Sequence, residues 1–195
     1  MTIVRLLAIG LWAVGFSAAQ EKYTYWVEPC HDPASMCRPD DPQLAQWAFE
    51  AWQRAAGGKL EFTRVRDADQ ARIRLYWASP AGGLYGETRP VFFKGHQLGA
   101  EVYVLPSPLP TNGDRLLRDA IVYLTCLHES GHALGLAHTA VFADIMYSFQ
   151  YGGDIDEYFG RYRRKLAARA DIAKNSGMSA ADRAHLLGVL AESRP

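Results

Sequence analysis

Three histidines and one glutamate fall within eleven residues, HESGHALGLAH at positions 128–138, and that spacing constrains the chain more than any other feature. If the stretch is helical as far as Ala133, each residue turns by roughly 100°, so His128 and His132 project about 40° apart and both imidazoles reach one ion. Glu129 then lies about 60° from His132, close enough to approach a water at that ion without ligating the ion itself. Gly135 accepts the positive φ that ends a helix, and the chain turns back so that His138 closes the site. Three neutral imidazoles bind Zn²⁺ and leave a fourth position open, which is what distinguishes a catalytic zinc from a structural one.

A helix that holds such a site has to be anchored. Leu116, Leu117, Ala120, Ile121, Leu124 and Leu127 recur at core spacing, and predict a buried helix from Asp114 to about Ala133. A second helix is expected in DDPQLAQWAFEAWQRAAGG, with Asp41 as its N-cap, Pro42 at the first helical position, Leu44, Ala45, Ala48, Trp52 and Ala55 on one face, and Gly57 and Gly58 closing it. KYTYWVE, KLEFTRV, ARIRLYW and AEVYVLP read as strands. Between the last two lies ASPAGGLYGETRPVFFKGHQLG, expected to be a functional loop because it is too long for a hairpin turn. Beyond the histidines, residues 154–177 predict one helix with acids first and bases later, and Ser179 with Asp182 opens a final helix. The fold class that results is α+β.

Lys plus Arg and Asp plus Glu number 21 each, so no excess of charge recruits nucleic acid or an acidic membrane, and the basic run Arg161 to Lys165 reads as a solvated helix face. The first nineteen residues carry Arg5, an apolar stretch from Leu6 to Phe16, and Ser17 and Ala19 before an expected cleavage. That pattern predicts a signal peptide at 1–19, because the stretch is shorter than the ~20 residues that cross a bilayer. Export permits a Cys30–Cys37 bridge, while Cys126 reads as a small buried apolar residue.

The motif at His128, Glu129, His132, Gly135 and His138 resembles the HExxHxxGxxH signature of the metzincin clan of zinc peptidases. Met146 in ADIMYS follows the third histidine by eight residues, as the methionine turn does in the matrixin branch, and Thr139 beside His138 is similar to the serine usual there. The resemblance implies a metzincin-like domain over residues 20–195, with a twisted, mostly parallel sheet and two long helices above a zinc cleft (about 20–135) and a mainly helical lower subdomain (about 136–195). It implies one catalytic Zn²⁺ on His128, His132 and His138, and Glu129 as general base. Leu124, one turn before His128, would floor the pocket for the residue after the scissile bond. Asp182 would support the methionine turn, and Ala181 replaces the aspartate that pairs with a freed N-terminus. His96 is the sole histidine between Gly82 and Pro110, so the array that binds structural zinc and calcium in matrixins is not reproduced.

The expectation is therefore a secreted or extracytoplasmic zinc endopeptidase, acting as a monomer on peptide or protein substrates. Its substrate would add as a strand along an edge placed at GAEVYVLP. It is also expected to lack built-in latency, because about three residues separate Ala19 from YTYWV and a bridged Cys30–Cys37 pair leaves no thiolate for zinc. The alternatives are a zinc-holding scaffold without turnover, which needs no Glu129, and a zinc hydrolase of a non-peptide amide.

Overall fold

Period-two alternation sets the sheet. In the computed structural model, which describes residues 20–79, 85–93, 97–106 and 111–192, β1 (Glu21–Val27) turns Tyr25 and Val27 inward, and β3 (Ile73–Trp77) turns Ile73, Leu75 and Trp77 the same way. With β2 (Leu60–Arg64), β4 (Gly86–Phe93) and β5 (Gln97–Val104) they form one five-stranded sheet in the order β2-β1-β3-β5-β4. All neighbours are parallel except β4, which runs antiparallel to β5.

Two helices cover the inward face. Helix α1 (Asp41–Ala55) buries Leu44, Ala45, Ala48, Phe49, Ala51 and Trp52. Helix α2 (Arg115–Ala133) starts at Asp114, whose carboxylate accepts a hydrogen bond from the Leu117 N–H (2.9 Å). The two helices are joined by the Trp52 indole, which donates to the Leu127 carbonyl (2.9 Å). Gly57 and Gly58 follow α1 with positive φ, as expected.

Three expectations are corrected. Asp40, not Asp41, is the N-cap of α1; Asp41 is fully buried and paired with Arg118 of α2, a partner 77 residues away that local cap chemistry cannot reveal. The presumed loop between β3 and β5 contains β4. That places GAEVYVLP inside the sheet and makes β4 the edge, where Pro90 is tolerated because its missing N–H faces away from β5. Residues 154–177 do not form one helix: α3 (Ile155–Arg163) stops, and the chain turns where the Asp171 carboxylate accepts from the Ala167 and Ala168 N–H groups (2.9 Å each). Leu166 and Ile172 are both buried, yet six residues apart they would point about 120° from each other on one helix.

The basic run is solvated at Arg164 and Lys165, as expected, and partly engaged elsewhere. Arg163 donates to Asp114 (2.9 Å), Arg164 pairs with Glu157, and Arg161 lies over Phe142 and Tyr158. Helix α4 (Ala180–Glu192) begins as predicted, with Ser179 and Asp182 exchanging backbone and side-chain bonds (2.8 and 3.0 Å). Cys30 and Cys37 are joined (Cα–Cα 5.4 Å), and Cys126 is free and buried. Residues 1–19, where a signal peptide is expected, His96 and parts of the glycine-rich connection lie outside the described residues. Among the described residues no helix is long and apolar enough to cross a membrane.

Candidate active site

Helix α2 carries His128, Glu129 and His132 on its last two turns and ends where the motif says it should. Gly135 takes φ 92°, and the Leu136 N–H donates back to the Gly131 carbonyl (3.0 Å). This reversal brings His138 Nε2 to 3.0 Å from His132 Nε2 and 3.2 Å from His128 Nε2.

The tautomers follow from the other ring nitrogens. His128 Nδ1 lies 2.7 Å from the Ile145 carbonyl and His132 Nδ1 lies 2.8 Å from the Leu136 carbonyl. A carbonyl only accepts, so both Nδ1 atoms carry the hydrogen and both Nε2 atoms present lone pairs. Burial pushes the His128 imidazole down to about 4 against the pull of the Ile145 carbonyl, and lowers His132 as well. Lone pairs converging in a place that disfavours protonation suit a cation, and this trio is a group of residues that can hold a metal ion.

Glu129 faces the edge strand. The Thr88 hydroxyl lies 2.8 Å from Glu129 Oε2 and 2.9 Å from the Glu129 carbonyl. Burial pushes the Glu129 carboxyl up to about 7, with the Thr88 bond acting in the opposite direction. A carboxyl poised near neutrality both takes and returns a proton readily. Gly86 is needed for this approach: a Cβ there would stand 2.6 Å from Glu129 Cγ.

Beneath the histidines, Met146 is fully buried. Gly131 lets it approach, since a Cβ at that position would lie 2.5 Å from the Met146 sulfur. The Asp182 carboxylate accepts from the Ile145 and Met146 N–H groups (2.9 and 3.3 Å), the support that the resemblance implied. Asp144, also buried, accepts from the Thr139 hydroxyl (2.9 Å) and the Ser179 hydroxyl (2.7 Å). The Tyr147 hydroxyl donates to the Gly152 carbonyl (2.7 Å).

Leu124 lines a largely apolar cavity of 310 Å³ beside the histidines, together with Tyr85, His138, Phe149, Tyr158 and Phe159. It also borders a second cavity of 240 Å³, which Arg161 and Lys165 line. Thr88, Gly86, Asp144, Ser179 and Tyr158 were not singled out from the sequence as belonging to this region. A lone Thr or Gly in a strand gives no local signal, whereas Asp144, two residues before Met146, was open to a reading as support for that turn.

No family model matches the chain. It is 29% identical over 128 residues to the interstitial collagenase of Bos taurus, covering 62% of this chain and 26% of that protein. The interstitial collagenase of Oryctolagus cuniculus is 27% identical over 144 residues, covering 70% and 29%, and matrix metalloproteinase-15 of Homo sapiens is 28% identical over 126 residues, covering 57% and 18%. The chain spans about a quarter of the length of the interstitial collagenases it matches. Over the greater part of its length it is similar to interstitial collagenases and to proteins named as matrix metalloproteinases, in line with its α+β fold and mostly parallel sheet.

Proposed function

We propose that the chain is a zinc-dependent endopeptidase of matrixin type, exported by way of the leader expected at residues 1–19. The observation that carries the reading is the convergence of His128, His132 and His138 through Nε2, with two Nδ1 atoms held by backbone carbonyls and Glu129 alongside. Three imidazoles would hold the zinc, which when bound supplies a Lewis acid that polarises a carbonyl and acidifies water. The Glu129 carboxylate takes a proton from the attacking water and returns it to the leaving amine nitrogen as the C–N bond breaks.

The sheet edge supports a peptide substrate. The Tyr85 carbonyl accepts from the Leu105 N–H (2.9 Å), so by the alternation of an antiparallel ladder the odd-numbered residues of β4 bond to β5, and Gly86, Thr88, Pro90 and Phe92 turn their backbone groups outward. An extended peptide finds donors and acceptors there, except at Pro90, which offers only its carbonyl. The cavity at Leu124 then receives the side chain after the scissile bond.

The test is to assay oxidised, zinc-loaded residues 20–195 against a peptide library, with and without a chelator. Cleavage that the chelator abolishes and zinc restores is expected. Stoichiometric zinc without cleavage of any peptide would leave the scaffold reading in its place, and cleavage of non-peptide amides alone would favour the third.

A further inference from the structure

We propose that Thr88 is a positioning residue for Glu129, clamping one carboxylate oxygen from the edge strand and leaving the other for the reacting water. The inference rests on the reading of Glu129 as the base.

Thr88 and Gly86 stand two residues apart on β4, so both face the same carboxylate. The Thr88 hydroxyl reaches Oε2 at 2.8 Å, and a Cβ on Gly86 would lie 2.7 Å from Oε1. One side chain holds the carboxylate while the absence of another leaves space beside it. Among the described residues, no side chain or N–H donates to Oε1.

The second acceptor makes the clamp compatible with turnover. A hydroxyl has one hydrogen to donate. While Glu129 is ionised, the carboxylate is the stronger acceptor and receives it. Once Oε1 has taken the water's proton, Oε2 accepts more weakly, and the Glu129 carbonyl at 2.9 Å is within reach of the same hydroxyl. Neither protonation state leaves the half-buried hydroxyl without an acceptor, so proton transfer costs it no partner. A threonine serving only as a good strand former would be replaced by valine without loss, since both are β-branched.

The experiment compares Thr88→Val and Thr88→Ser in the full chain. In zinc-loaded protein, Thr88→Val is expected to lower kcat about tenfold, as loss of a hydrogen bond to a charged group implies, with KM within about twofold and zinc stoichiometry unchanged. Thr88→Ser is expected to restore most of the rate. An unchanged kcat, a loss carried by KM, or a serine variant no better than valine overturns the proposal.

A second readout needs no activity. In metal-free protein, Thr88→Val should lower the thermal midpoint by ~3–6 °C, and by less than half as much when Glu129 is already Ala. Equal losses in the two backgrounds overturn the clamp, because the hydroxyl then serves the backbone alone. A wild-type chain that hydrolyses no peptide overturns the functional reading, while the unfolding comparison still decides whether the carboxylate is held.

Discussion

The two walls that meet at Glu129 are built differently. From His128 to Met146 the chain is tied at several points, by Ile145 and Leu136 carbonyls on the imidazoles, by Asp182 on the Ile145 and Met146 N–H groups, and by Asp144 between Thr139 and Ser179. Strand β4 is hydrogen-bonded on one side only among the described residues, and it meets Glu129 through Thr88 and the space left at Gly86. The first wall fixes positions, and the second keeps outward backbone groups that, on the proposed reading, an extended peptide would complete. Rigidity and unfilled hydrogen bonding are thus assigned to separate segments.

Four substitutions probe that division. Glu129→Ala removes the group where the walls meet: it should retain one zinc per chain and lose about 10²–10⁴ in kcat, the usual contribution of a general base. Metal analysis beside steady-state kinetics checks this, and wild-type turnover in the variant would refute the role. Asp182→Ala attacks the tied wall. It leaves buried N–H groups without an acceptor, so stability should fall by about 2–4 kcal/mol, ~5–15 °C in thermal midpoint, with zinc held more weakly. Calorimetry with competitive chelation reads both, and a midpoint within a degree of wild type would show that the wall does not depend on that carboxylate.

Gly86→Ala attacks the open wall. The new Cβ must push β4 off Glu129, and kcat should drop roughly 10–100-fold, as small displacements of reacting groups do, while zinc content stays normal. The smallest effect is expected at Leu124, which separates the 310 Å³ cavity from the 240 Å³ one. Leu124→Ala should merge them and shift selectivity after the scissile bond toward longer side chains by about tenfold. A cleavage profile with the same preference as wild type would mean that Tyr158, which also borders both cavities, sets the depth alone.

The same contrast explains what could be read beforehand. The histidines, Glu129 and Gly135 form a local pattern in which helical spacing and one left-handed turn determine the relation of the side chains, and Met146 and Asp182 entered through the resemblance. The length and glycine content of the connection between β3 and β5 point to a loop and hide β4 within it, which moves the expected edge to β5. Thr88 lies 41 residues from Glu129 and Arg118 lies 77 from Asp41, distances at which a sequence carries no periodicity. Residues 164–177 depart for another reason: Ala, Arg and Lys favour helices intrinsically, but Leu166 and Ile172 are both buried and Arg169 bonds to Asp119 and the Asp40 carbonyl, and tertiary packing overrides propensity.

The dependence of Ile145 and Met146 on Asp182 also sets a schedule. A chain made from its N-terminus exposes all three histidines some forty residues before the carboxylate that fixes the peptide under them. Until α4 docks, the Ile145 carbonyl that orients His128 has no rigid support from that side. The peptide under the histidines would therefore be fixed only after α4 has docked, later than the histidines themselves are made.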